Sequence, residues 1–268
     1  MTQNRGVGAG DDKKPDDSLT GSSGKQWSRE ADVESDGTEI LRMLRSTPTL
    51  WLPFLVAGCV LTVVDRLRVR DRLPVEPPAS ESTLQIAYSV YPTGATATSR
   101  SLDALVDLPL DVFLYAVGLE LLVVGVIAAA GWITMIRASS TVPSPRRFLV
   151  YAGGVSILYL LNHLGTAVDL NLSVNSLLVA IGAFGMLAFI AVRLFFLPIA
   201  VLYAEPLRTA PLVSWRRSRG HGVPIFLLIV GMGLISGWLV SVPSVGVVLS
   251  VTVVGTVHAV ALANLYNE

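Results

Sequence analysis

The sequence predicts an all-α, polytopic membrane protein: six transmembrane helices, amphipathic interfacial helices and a disordered N-terminal tail. Three observations carry this expectation. Hydrophobic residues make up 52% of the 268-residue chain and charged residues only 15%, whereas soluble domains carry about 25% charged residues. The charge is also unevenly placed. Of the 20 basic and 20 acidic residues, 16 lie in the first 47 positions and 12 between Asp65 and Asp111, which leaves 12 from Val112 onward. Finally, apolar stretches of about 20 residues, enough to cross about 30 Å of hydrocarbon, recur along the chain. This pattern excludes an ordinary soluble enzyme and a nucleic-acid binder, and the zero net charge gives no global field to steer an anionic partner. The single cysteine, Cys59, allows neither a disulfide framework nor a thiolate metal cluster.

Residues 1–36 read as an acidic cytoplasmic tail. Met1–Glu39 holds nine acids against five bases and has no apolar periodicity, so it cannot bury enough surface to offset the entropy of ordering. It lacks the apolar core of a signal peptide. The membrane domain then occupies 37–268. Thr38–Ser46 reads as an amphipathic helix with Ile40, Leu41 and Leu44 on one face, broken by Pro48. It suits either a membrane-surface helix or an extension of the first span. The spans themselves fall at about 48–64, 110–136, 148–168, 176–204, 223–242 and 244–266. The last two divide an uncharged stretch of 46 residues, Gly222–Asn267, which as one helix would be roughly 69 Å long. Val242-Pro243-Ser244 is where it turns. The loop 65–109 is the sizeable piece outside. Alternation at Leu84, Ile86, Tyr88 and Val90 gives a weak strand signal, and Ser101–Leu108 reads as a short interfacial helix. The segment is too small for a core of its own and is expected to lie on the bundle. Gly233 and Gly237 form a GxxxG pair, and Gly125, Gly131, Gly182, Gly185 and Gly255 lie in other spans. Small residues allow close helix approach, within the bundle first and between copies in a homo-oligomer second.

Orientation follows from arginine, which outnumbers lysine 17 to three. Arg42 and Arg45 precede span one. Arg137, Arg146 and Arg147 separate spans two and three, and Arg208, Arg216, Arg217 and Arg219 separate spans four and five. Positive residues stay cytoplasmic, so both termini should be inside the cell membrane. Arg66, Arg68, Arg70 and Arg72 conflict with this placement, although Asp65 and Asp71 partly offset them. The sequon Asn171-Leu172-Ser173 fits an outside loop.

Four intramembrane polar residues are candidates for a site. Glu120 lies about ten residues into span two, near the midplane, and a carboxylate there faces the bundle interior at a cost of about 3 kcal/mol. It is either a proton or cation site or a protonated, hydrogen-bonded packing residue. Arg193 either snorkels to the cytoplasmic headgroups or reaches inward to Glu120. His163 and His258 lie in spans three and six, too far apart in sequence to carry a local zinc-binding spacing, and read as packing histidines. Pro206–His221 reads as a cytoplasmic linker helix whose Arg208, Arg216, Arg217 and Arg219 contact anionic lipid phosphates, each contributing about 1 kcal/mol near such a surface. There is no P-loop, no GxSxG and no GxGxxG after a strand, so neither a catalytic residue nor a cofactor is assigned.

Two segments resemble a known pattern. TEILRMLRSTPTLWLPFLVAGCV, Thr38–Val60, is similar to the opening of the membrane domain attached to some glycerophosphoryl diester phosphodiesterases, and to related six-span proteins of salt-loving archaea. LFFLPIAVLYAEPLRTAPLVSWRRSRG, Leu194–Gly220, is similar to that family's fourth-span exit and amphipathic linker. Together they cover about a fifth of the chain. The resemblance implies a six-helix membrane domain with cytoplasmic amphipathic linkers. The phosphodiesterase's catalytic domain has no counterpart here, so no catalytic role is carried over. The sequence therefore points to a non-catalytic membrane protein that interacts with lipid or a partner. The alternatives are a small secondary transporter coupled through Glu120 and, more remotely, a membrane-embedded hydrolase built on His163 or His258.

Overall fold

The computed structural model describes residues 38, 40–71, 73–75, 89–100, 103–105, 107–139, 144–167, 177–204 and 206–267. The tail 1–36, the alternation at 84–88 and the sequon at 171–173 lie outside the described residues. The described chain is helical. Helix α1 covers residues 40–46 and ends at a 3₁₀ turn, Pro48–Leu50. The long helices follow: α2 (Leu52–Arg70), α3 (Leu110–Ser139), α4 (Pro145–Ala167) and α5 (Leu177–Leu194). After these come α6 (Leu197–Tyr203), α7 (Ala210–Arg217), α8 (Gly222–Val240) and α9 (Gly246–Asn267). Among the described residues, five segments are long and apolar enough to cross a membrane: Pro48–Arg70, Leu110–Ser139, Phe184–Tyr203, Gly222–Val240 and Gly246–Tyr266. Helix α4, with 23 residues and about 35 Å of length, is the sixth long helix.

Helix α9 is the centre of the bundle, packed against α2, α3 and α8. Lipid tails are as apolar as Leu, so contact between membrane helices depends on close van der Waals packing. The α2–α9 pair achieves it with two glycines. A Cβ on Gly58 would lie 2.9 Å from Val248 Cα, and one on Gly255 would strike the Phe54 ring. By contrast Gly125, Gly182 and Gly185 meet nothing, so close approach is confined to part of the small-residue set. Side chains such as Leu55, Leu114, Leu121, Ile157, Leu187 and Leu227 face out of the bundle, as a lipid-facing surface requires.

Helix α1 docks on protein. Leu44 joins Leu50 and Val260 in a small apolar cluster, and Trp51 Nε1 donates to the Leu44 carbonyl at 3.1 Å. Leu44 therefore packs against α9 at Val260 while Leu41 stays exposed, and the Thr47–Trp51 turn separates α1 from α2. The fourth expected span is divided. Pro198 in the first turn of α6 has no N–H to donate, and Phe195-Phe196 form a turn between α5 and α6. The expected linker helix Pro206–His221 shortens to α7 behind a 3₁₀ turn, Leu207–Thr209; of the expected helix Ser101–Leu108, the described residues include a 3₁₀ turn, Asp103–Leu105.

The largest departure from expectation is residues 91–100. They do not lie on the bundle; they thread into it as irregular backbone. The Ala95 N–H donates to Ser236 Oγ (2.7 Å) near the end of α8 and to Ser250 Oγ (2.9 Å) near the start of α9. A Cβ on Gly131 in α3 would lie 3.8 Å from Pro92, about 16 Å further along α3 than Glu120. Tyr91 is buried in the main apolar core beside α3 and α4. Non-helical backbone at membrane depth survives only when protein surrounds and satisfies it, and here it is enclosed by α2, α3, α8 and α9.

Candidate functional site

The threaded segment is held by buried charge. Along α2 the enclosed stripe Phe54, Ala57, Leu61 and Val64 continues into Asp65 and Arg68, which the 3.6-residue period keeps on the same face. Asp65 accepts the Ala97 N–H through Oδ2 (3.1 Å) and the Thr98 hydroxyl through Oδ1 (2.8 Å). The Arg68 guanidinium, 1% exposed, donates to the Thr98 carbonyl at 3.1 Å and lies 3.5 Å from Asp65 Oδ1. Its other terminal nitrogen meets Glu120 Oε2 at 2.5 Å. Tyr159 of α4 donates to the same oxygen at 2.7 Å. One guanidinium thus ties α2 to α3 and, through Glu120 and Tyr159, to α4, while Asp65 fastens two consecutive residues of the threaded segment. Arg100, 2% exposed, meets Asp71 at 2.6 Å and closes the segment's far end.

This geometry corrects the reading of Glu120. It does face the bundle interior, but its Oε2 accepts from a cation and a phenol, where the packing alternative had it donating as a neutral acid. Its partner is Arg68, which sequence order had assigned to the outside loop. The reason is helix length: α2 runs to Arg70, so Arg68 remains inside the bundle. Glu120 Oε1 and Arg68 Nε are buried with no hydrogen-bond partner among the described residues.

Arg193 does not reach Glu120. Its guanidinium packs over Phe189 (4.9 Å) and Trp215 (5.3 Å) and lies 3.4 Å from Ser218 Oγ, while Ser214 Oγ donates to the Arg193 carbonyl at 2.8 Å. It pins α7 to α5. His258 is enclosed and stacked on Phe195, 5.5 Å between ring centres. His163 lies within α4, and its side chain is outside the described residues. Among the described residues no three His, Cys, Asp or Glu side chains group as a metal site would need.

The opposite end of the bundle carries a further set of arginines. Arg137 donates to the Thr49 carbonyl at 3.1 Å, and Arg147 donates to the Leu202 carbonyl near the end of α6. Arg217 donates to the Tyr266 carbonyl at the end of α9, with its guanidinium 4.6 Å from the Tyr266 ring centre. Arg147 and Arg217 thus satisfy carbonyls that a helix C-terminus leaves without an intrahelical partner and complement the negative end of the dipole. Arg217 is therefore occupied within the protein, whereas Arg208, Arg216 and Arg219 are exposed. Two clefts open on this end. One is lined by Thr38, Leu41, Arg42, Arg45 and Ser46. The other is lined by Ser144, Arg146 and Arg147 at the start of α4 and by Ala204, Pro206, Leu207 and Arg208 after α6.

Sequence reasoning singled out Glu120 but not Asp65, Arg68, Tyr159, Ser236 or Ser250. For Arg68 the signal was present: it lies four residues after Val64 and seven after Leu61, on the apolar stripe, while Arg66 and Arg70 fall off it. Comparison with family models, with curated proteins and with solved structures returns no match.

Proposed function

We propose that the chain is a non-catalytic integral protein of the cell membrane, with both termini cytoplasmic, whose arginine-bearing face engages anionic lipid headgroups. The observation that carries this reading is the uneven placement of exposed positive charge. Arg42, Arg45, Arg146, Arg208, Arg216 and Arg219 are all exposed on one end of the bundle, beside two amphipathic helices, α1 and α7. At the other end Arg68 and Arg100 are buried against carboxylates, and Arg66 and Arg70 are the exposed arginines among the described residues. A surface with that many bases contributes about 1 kcal/mol of attraction per residue to an anionic leaflet, and the attraction decays within a Debye length. The test is thermal stability after reconstitution in phosphatidylcholine alone and with added phosphatidylglycerol. The reading expects a higher midpoint with phosphatidylglycerol that falls back at high salt; equal midpoints in both bilayers would refute it.

A second reading rests on a separate observation. Irregular backbone threaded to membrane depth beside buried ionisable groups is how secondary transporters build coupling sites, and Glu120 Oε1 is the unengaged oxygen of such a group. Proton-coupled flux in vesicles that Glu120→Gln abolishes without unfolding the protein would favour transport. A folded wild type with no flux across a pH gradient would leave the Glu120 network as a structural clamp.

A further inference from the structure

We infer that the cleft between the start of α4 and the α6–α7 linker is a specific site for one phosphate group, supplied by the headgroup of an anionic phospholipid; this rests on the lipid-contact reading above and assigns its location. The cleft is about 400 Å³, large enough for a phosphate and its ester neighbours. Three guanidinium groups belong to its rim: Arg146 and Arg147 from the first turn of α4 and Arg208 from the 3₁₀ turn after α6. Guanidinium forks match phosphate oxygens two at a time, and Ser144 adds a hydroxyl on the same wall. The cleft also lies at the N-terminus of a 23-residue helix, whose dipole favours an anion there.

The placement is consistent with a lipid source. Arg147 donates to the Leu202 carbonyl, which fixes the α4 wall against α6, so the cleft is formed in the folded bundle and needs no ligand to assemble it. Arg146 and Arg208 are exposed, and among the described residues neither is ion-paired with a carboxylate. Glu205 is the sole acid between Leu194 and His221, so the rim keeps an excess of positive charge. Just beyond it Phe148 is half-buried and Leu149 and Val150 face out of the bundle, an apolar wall along which acyl chains can run. A soluble anion would use the guanidinium groups alone; a lipid uses both.

The experiment is native mass spectrometry of the full-length protein, delipidated in detergent. It is titrated with phosphatidylglycerol, with phosphatidylcholine, and with phosphatidylglycerol against millimolar inorganic phosphate. Arg146→Gln/Arg208→Gln should weaken phosphatidylglycerol retention by about tenfold or more, from the loss of two bases. Arg216→Gln/Arg219→Gln removes the same charge from α7 and should change it less than twofold. Inorganic phosphate should compete poorly, because it lacks the acyl contacts. Equal losses in the two double variants would overturn the site while sparing the lipid-contact reading, and no preference of the wild type for phosphatidylglycerol would overturn both. Full displacement by inorganic phosphate at the concentration of the lipid would reassign the site to the free anion and overturn the lipid source. If the first double variant does not fold, Arg208→Gln alone, with its exposed side chain, reads the same loss at about fivefold.

Discussion

Glu120 and Arg68 can be tested as a pair by a double-mutant cycle. Arg68 has four polar neighbours: Glu120 at 2.5 Å, the Thr98 carbonyl at 3.1 Å, and Asp65 and Tyr159 at 3.5 Å. Glu120→Leu removes the shortest of these and leaves the Tyr159 hydroxyl without its 2.7 Å acceptor. Breaking one side of a buried ion pair costs about 3–5 kcal/mol, because the surviving charge is left without compensation. Asp65 remains within 3.5 Å of Arg68, so the lower end, about 3 kcal/mol, is expected. Glu120→Gln keeps an acceptor but loses the charge, and a hydrogen bond to a charged group contributes about 1.5–3 kcal/mol. Arg68→Met should cost a similar 3 kcal/mol, since it strands both carboxylates and the Thr98 carbonyl. The double variant Arg68→Met/Glu120→Leu should then cost about 2 kcal/mol less than the sum, because no charge is stranded between them. The assay is reversible unfolding in mixed micelles with increasing SDS, followed by far-ultraviolet circular dichroism. If the two single costs add to within about 0.5 kcal/mol, the two residues do not interact and the clamp does not exist.

Three further outcomes follow from the same geometry. Gly94→Val should destabilise the protein by about 1–3 kcal/mol, since a Cβ on Gly94 would collide with the backbone of Ser250 and Val251; a thermal midpoint equal to wild type would show that the segment is not seated there. Ser236→Ala/Ser250→Ala removes both acceptors of the Ala95 N–H and should cost about 1–3 kcal/mol, with faster hydrogen exchange at Ala95 than at the α9 amides; unchanged exchange refutes the contact. On a Cys59→Ala background, cysteines at positions 140 and 219 should react with a membrane-impermeant maleimide only after permeabilisation and a cysteine at 172 without it, and labelling of 219, which is exposed, in intact cells would reverse the proposed orientation.

The helices were legible in the sequence because the bilayer imposes one rule on all of them, a long apolar run without charge. Where that rule governs, the boundaries agree closely: Leu110–Ser139 for span two and Gly222–Val240 for span five. It fails where charge stays inside the bundle. Ending span one at Val64 treats Asp65 and every arginine after it as exterior, yet two of those residues lie on the enclosed stripe. The rule is also blind to backbone. Tyr91–Thr98 has no helical period and no long apolar run, so only contacts from residues distant in sequence, Asp65, Ser236 and Ser250, reveal that it is internal. Arg217 shows a third limit. By composition it is equivalent to Arg216, but the last turn of α9 presents a carbonyl to one and not the other.

The position of the buried charges has a physical reason. A segment threaded among membrane helices brings N–H and carbonyl groups into a region without water, and each one left unpaired costs several kcal/mol. Helical neighbours cannot answer it with their own backbones, which are already bonded internally, so side chains must. Hydroxyls suffice where a single N–H must be met, as at Ala95 between Ser236 and Ser250. Where the chain presents donors and an acceptor together, at Ala97 and Thr98, one carboxylate and one guanidinium answer all three groups: Asp65 takes the Ala97 N–H and the Thr98 hydroxyl, and Arg68 takes the Thr98 carbonyl. That pair sits three residues apart on one helix, at 3.5 Å, too loose to compensate Arg68 fully. Glu120, at 2.5 Å, supplies the remaining negative charge from the neighbouring helix. On this reasoning the intramembrane carboxylate follows from the threaded segment, and deleting residues 91–98 should remove most of the stability cost of Glu120→Leu together with the clamp that Glu120 completes.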